Sequence, residues 1–274
     1  MPELPEVETA RRALALDLPG RTVTEVRGRP VALRRPLEPE RLARALVGRR
    51  LAAPRRRGKH LLLDVEGGGS LLLHLGMSGR LMLVSDPGPA LAPHTHVVLR
   101  FDHDRELRLV DPRRFGLAHW LAPGEETHDP ALSHLGIEPL DPSFPAIFPS
   151  LGRGRRASVK ALLLDQRIVA GVGNIYAAEA LWRSGLRPGR AAGAISCGRL
   201  ERLARALQAV LEEAIAAGGT TIRDFAAPNG ELGMFAFSLR VYGRDGEPCP
   251  TCQTPVLRTV IAGRSTFWCR RCQR

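Results

Sequence analysis

Between Pro5 and Leu18, apolar side chains recur at Val7, Ala10, Leu14 and Leu18, the spacing of one helix face, and Pro5 suits the first turn. The period then shortens to that of strands. Residues 22–26, 59–66, 70–84, 95–102 and 106–121 are short β-type runs broken by Gly, Pro and Asp. The stretch "EGGGS" at 66–70 reads as a hairpin turn. This half is expected to be a β-sandwich carrying an N-terminal helix. From 123 to 156 the pattern dissolves into Pro- and Gly-rich sequence ending in a basic run, which reads as a linker. Helical spacing then returns. Ser158 precedes "VKALLLD" and Asn174 precedes "IYAAEALWRSG", both as N-caps, and 200–219 is an amphipathic helix stopped by Gly218. A polar loop over 219–233 leads to a last segment holding four cysteines.

Charge adds a partner to this picture. Forty Lys and Arg against 28 Asp and Glu leave a formal net charge of +12, which points to a polyanion, nucleic acid foremost, or to a generally basic surface. Lys59 and Lys160 are the only lysines; every other cation is arginine. An ammonium can lose its proton and a guanidinium in a protein cannot, so both lysines are candidates for chemistry. The opening "MPELPEVET" lacks the basic start, apolar run and cleavage site of a secretory signal. No window approaches the roughly 18 apolar residues of a membrane span, so a cytoplasmic protein is expected. Proline beside the initiator favours removal of Met1, which would leave Pro2 with a free secondary amine.

Cys249, Cys252, Cys269 and Cys272 form two C-x₂-C pairs sixteen residues apart. Four thiolates at this spacing suit one tetrahedral Zn²⁺ with no open position, a structural site; disulfides are the alternative, and a cytoplasmic setting opposes them. Cys197, left over, reads as a small core residue. From Cys249 onward come Arg258, Arg264, Arg270, Arg271 and Arg274 and no acid. A basic hairpin pinned by zinc suits a phosphate backbone. "GVGN" at 171–174 is either a phosphate cradle at a helix start or an ordinary turn. His74 and Met77 fall in "HLGMSG", and Arg113 and Phe115 in "DPRRFG", two turns. Met77 and Phe115 are either core residues or a wedge for a base stack.

"PELPEVET", "RRRGKHLLL", "HLGMSG", "DPRRFG", "VAGVGNIYAAEALW", "GGTTIRDF" and the paired C-x₂-C hairpin, in this order, closely resemble bacterial formamidopyrimidine-DNA glycosylases. The resemblance runs from residue 2 to the last cysteine. It implies an α+β chain: an N-terminal β-sandwich domain over 1–130, a linker over 131–156, a helix–two-turn–helix domain over 157–240 and a zinc finger over 241–274, with DNA between the halves. The implied activity is DNA repair, with an oxidised purine such as 8-oxoguanine flipped out of duplex DNA and excised before the strand is cut. The resemblance gives Pro2 the role of nucleophile and Glu3 that of acid. Lys59 and Arg264 serve phosphates and the elimination steps; His74 and Asn174 hold phosphates. Met77, Arg113 and Phe115 fill the vacated gap, His94 and Arg156 are further DNA contacts, and Lys160 lies near the extruded base. A monomer, nucleoid-associated in a bacterial cytoplasm and holding one Zn²⁺, is implied.

An N-terminal proline answers to this chemistry. A covalent amine adduct splits the breaking of an N-glycosidic bond into two easier steps, and an α-amino group is nearer its free base at neutral pH than a lysine. His60 stands where the family often has tyrosine, 153–156 is rich in arginine rather than lysine, and Met234 replaces a more usual aromatic. Two other readings stay open: an endonuclease VIII-like glycosylase for oxidised pyrimidines, which Leu4 disfavours, and a non-catalytic zinc-bearing DNA-binding protein, which Pro2, Glu3, Lys59 and Arg264 together disfavour.

Overall fold

The computed structural model describes residues 2–85, 88, 90–220, 227–230 and 233–274. Met1, the "TIRDF" stretch and other parts of the 219–233 loop lie outside them. The chain divides into two compact units, Met1–Ser133 with Ala217–Met234, and His134–Ala216 with Phe235–Arg274.

The first unit begins with α1, Leu4–Ala15. Glu3 is its extended N-cap, Pro5 sits in the first turn, and Leu4, Val7, Ala10 and Leu14 form the buried face. The helix stops three residues short of the expected Leu18. Leu16, its C-cap, is 90% exposed, whereas Leu18 is buried from the turn that follows. Two four-stranded antiparallel sheets make the sandwich. One orders β1 (Val23–Gly28), β8 (Thr95–Phe101), β9 (Arg105–Val110) and β7 (Arg80–Ser85); the other orders β10 (Leu117–Leu121), β6 (Ser70–His74), β5 (His60–Asp64) and β4 (Arg55–Arg57). Their facing side chains, among them Leu61, Leu63, Leu71, Leu73, Val97, Leu99, Leu107 and Leu109, form one core. Strands β5 and β6 are apolar without alternation because both their faces are covered, and α1 packs against β4 and β5. A second helix, α2 (Pro39–Leu46), and the two-residue strands β2 (Val31–Ala32) and β3 (Pro36–Leu37) were not expected. Leu42 and Leu46, four apart after a proline start, are the signal that α2 left in the sequence.

The second unit is helical. Where a linker was expected over 131–156, Phe144–Gly152 forms α3, with Phe144 and Phe148 fully buried one turn apart and α3 packed on α6. Pro145 is accepted because it lies in the first turn. Then come α4 (Val159–Leu164), α5 (Asn174–Arg183) and α6 (Cys197–Ala216), followed by the hairpin of β11 (Leu257–Ile261) and β12 (Arg264–Trp268). Ser158 caps α4 as expected, its hydroxyl accepting from the Ala161 N–H at 3.2 Å. Asn174 does not cap α5: Gly173 does, and Asn174 is the first helical residue. Cys197 opens α6 and is exposed, not a core residue. Among the described residues no helix is long and apolar enough to cross a membrane.

Glu179 ties the helices to the hairpin's approach. It is 1% exposed, and its carboxylate accepts from the backbone N–H groups of Arg240, Val241 and Tyr242 at 2.9–3.0 Å. Glu179→Ala leaves those donors buried without an acceptor and is expected to destabilise the second unit by about 3 kcal/mol or more. Glu179→Gln, which keeps one acceptor oxygen, should fall between. Urea unfolding followed by tryptophan fluorescence measures both; equal stability of Glu179→Ala and the native chain would refute the role.

Candidate active site and nucleic-acid surfaces

Pro2 and Glu3 stand at the head of α1, and both are buried. A reciprocal capping box holds Glu3, the neighbour of Pro2. The Glu3 side chain accepts from the Glu6 backbone, and the Glu3 N–H donates to Glu6 Oε2 at 2.7 Å. Glu6 Oε1 accepts from the Thr220 N–H at 2.8 Å, so the turn after α6 is bound to the same carboxylate. Sequence reading missed Glu6, although Glu at the third helical position after the cap is its visible sign.

Lys59 occupies the two-residue turn between β4 and β5, the strands against which α1 packs. Gly58 precedes it at φ +56°, the first-position glycine that a tight hairpin of this kind needs. The Lys59 side chain is buried. Across the sheet, His60 pairs in register with His74, their rings 4.8 Å apart. Burial, then the charges of His60, Arg34 and Lys59, push the His74 imidazole well below its ordinary pKa. His74 Nδ1 accepts from the Gly76 N–H at 2.8 Å, which places the proton of the neutral ring on Nε2 as a donor.

The residues read either as core or as a wedge lie at the surface, not in the core. Met77 is 40% and Phe115 45% exposed, and the Arg113 guanidinium lies 5.0 Å from the Phe115 ring centroid. Asp111, fully buried, assembles the two turns that carry them. Its Oδ1 accepts from Ser78 Oγ at 2.9 Å and the Arg113 N–H at 3.3 Å, and its Oδ2 accepts from the Gly116 N–H at 2.7 Å. Gly76 lies against the Phe115 backbone at φ +60°, leaving no room for a Cβ. Exposed His94, at φ +64°, accepts the Asp111 N–H through its carbonyl at 3.0 Å, so it adjoins the same assembly.

In the second unit Lys160 is fully buried. Its Nζ donates to the Ser265 carbonyl at 3.0 Å and to Thr266 Oγ1 at 2.6 Å, and Asn174 Nδ2 donates to the same carbonyl at 2.9 Å. Lys160 thus braces β12 from within, beside exposed Arg264 at the strand's start. Asn174 Oδ1 is buried without a hydrogen-bond partner. Gln166, also missed from sequence, braces the "GVGN" turn by accepting from Gly171 N–H at 2.9 Å and donating to the Val172 carbonyl at 2.8 Å. Arg156 is exposed ahead of α4.

The four cysteine sulfurs all lie within 4.8 Å of one another, with Cys252···Cys269 at 3.4 Å and Cys249···Cys272 at 3.9 Å. A tetrahedral ion with bonds of about 2.3 Å needs sulfurs roughly 3.8 Å apart, so the set fits zinc. Burial and the neighbouring thiols push the Cys272 thiol up to about 12. Four thiolates this close need a dication to coexist. Phe267, Val241, Val256 and Ala178 of α5 pack around Cys249 and Cys269, so zinc closes a real core.

Comparison with known proteins covers the same ground. Residues 1–118 match the formamidopyrimidine-DNA glycosylase N-terminal domain, 135–226 the formamidopyrimidine-DNA glycosylase H2TH domain, and 246–274 the zinc finger found in FPG and IleRS. A formamidopyrimidine-DNA glycosylase of Paracoccus denitrificans is 50% identical over 283 residues, covering 100% of both chains. The crystal structure of the MutM (Fpg) protein from Thermus thermophilus is 43% identical with a TM-score of 0.86, covering 99% of this chain and 98% of that one. A Lactococcus lactis Fpg mutant in complex with Fapy-dG-containing DNA is 30% identical with a TM-score of 0.91, covering 100% of each. By sequence along its whole length, by fold and by its four-cysteine zinc finger, the chain belongs to the formamidopyrimidine-DNA glycosylase family.

Proposed function

We propose that this chain excises oxidised purines from duplex DNA and then cuts the strand at the abasic site, with the amine of Pro2 as nucleophile once Met1 is removed. The observation that carries this reading is the capping box that fixes Pro2 and Glu3 at the head of a buried helix. The Pro2 nitrogen attacks C1′ of the damaged nucleotide, and the base leaves with the glycosidic electron pair and takes up the proton that the attacking amine sheds. Glu3 supplies a proton to the ring oxygen as the sugar opens, and the nitrogen lone pair completes an iminium. The iminium acidifies C2′; loss of a proton there expels the 3′ phosphate, and a second elimination expels the 5′ phosphate. Lys59, His74 and Arg264 hold the lesion-strand phosphates, with neutral His74 donating through Nε2. No redox cofactor enters any step, and zinc only holds the β11–β12 hairpin.

Met77, Arg113 and Phe115 would fill the gap left by the flipped nucleotide, a role their joint exposure on the Asp111 assembly supports. His94 and Arg156 would add backbone contacts. Asn174 would act through its bond to the Ser265 carbonyl, placing Arg264. The acid-and-amine pair favours this enzyme over a DNA-binding protein without activity, and a cytoplasmic monomer is the simplest form in which it works.

Extending the chain so that Pro2 is no longer terminal converts its nitrogen to an amide, which cannot attack. That variant is expected to bind lesion DNA but neither release base nor form a borohydride-stable cross-link. A cross-link in that variant as strong as in the native enzyme, or one mapped to Lys59, would overturn the proline mechanism. Arg113→Ala should reduce the preference for cytosine opposite the lesion about tenfold, the worth of one forked contact to a base edge; nicking assays on duplexes differing only in the opposite base measure it. Cys252→Ser should lose zinc and DNA affinity together while the first unit stays folded, and full nicking by zinc-free protein would refute that coupling.

A further inference from the structure

A groove of about 810 Å³ opens in the second unit, lined by Arg187, Arg190, Arg270, Arg274, Trp268 and Leu257. No Asp or Glu side chain lines it. None of the four guanidiniums makes an ion pair among the described residues; Arg190 donates to the Ala194 carbonyl at 3.2 Å. The main-chain oxygen of Arg274 is already engaged, accepting from Arg199 Nη2 at 2.7 Å. Four like charges around one concavity repel each other, and an anion bound in it lowers that cost. Trp268 forms an aromatic wall. It is 9% exposed, and its indole N–H is buried with no acceptor in the protein. The Arg187 guanidinium lies 5.2 Å from its ring centroid, a stacking that orders the cation while leaving its N–H fork for a phosphate.

The groove's place on the hairpin says which anion. Trp268 is four residues after Arg264 on β12, so alternation puts both on one face, and Leu257 is the register partner of Trp268. Four residues of strand are roughly 13 Å. A DNA strand whose phosphate meets Arg264 carries further phosphates within that reach. We propose that this groove is a second DNA-backbone site, which takes phosphates of the duplex beyond the one reached by Arg264. The inference rests on the DNA-repair reading above and extends the bound footprint away from the lesion.

The test uses the full-length, zinc-loaded protein with Arg187, Arg190 and Arg270 all changed to Gln, and undamaged duplex of about 30 base pairs. Each lost phosphate contact should lower the log–log salt dependence of binding by about 0.9, so the triple variant should lose two or more. Because Arg187 packs on Trp268, the single variant Arg270→Gln, at an exposed position of the same groove, is measured as well and should lose about 0.9 alone. Nicking of a short duplex centred on 8-oxoguanine should be unchanged in both. An unchanged slope with normal nicking overturns the second site and leaves the proposed function standing; absence of nicking by the native protein overturns that function itself. Calorimetric titration with inorganic tripolyphosphate separates the sources. If the variants lose tripolyphosphate binding while the duplex slope stays the same, the groove takes a small polyanion and the DNA assignment fails.

Discussion

Chain termini usually fray, and a terminal amine proposed as a nucleophile is useful only if it does not. The buried carboxylate of Glu6 settles this. One of its oxygens accepts the Glu3 N–H and the other the Thr220 N–H, a contact across 214 residues of sequence. The start of α1 and the turn after α6 are thus fixed by one group, and neither donor could be left buried and unbonded without a cost of about 1–3 kcal/mol. The sandwich behind α1 supplies the wall; Glu6 supplies the aim.

The same device recurs twice. Asp111 gathers the backbone of one turn and the Ser78 hydroxyl of another, and so presents Met77, Arg113 and Phe115 together. Glu179 gathers three consecutive N–H groups ahead of the zinc hairpin. In each case an irregular segment is held by a buried acceptor instead of by a strand ladder. Loops shaped this way can carry exposed functional side chains without being floppy. The electrostatics agree with the division of labour: His74, among buried neighbours and cations, stays neutral, while the arginines that face water keep their charge.

Strands and helices with strong periodicity were legible in the sequence, as were the zinc ligands, whose spacing is itself the chemistry. What was not legible depends on tertiary contacts. Helix α3 was hidden by its prolines, because nothing local says that Phe144 and Phe148 find a partner in α6. The exposure of Met77 and Phe115 could not be read from their apolar character; it follows from Asp111, which sits thirty-odd residues from one of the turns it organises. Lys160 was singled out for its rarity, and rightly so, yet its ammonium is turned inward onto β12. Rarity identified a constrained residue without identifying the constraint.

The two lysines lie inside, one in a turn against the sandwich and one beneath the hairpin, while the outer cations are arginines. An opened abasic sugar is an aldehyde, and aldehydes condense with any amine that can shed its proton. Guanidinium does not do so in proteins. A lysine-coated surface of the same charge would attract DNA equally well but would offer many sites for stray condensation along it. This surface attracts DNA while remaining inert toward the sugar, which leaves Lys59 and Lys160, both buried, as the only side-chain amines beside the nitrogen proposed to attack it.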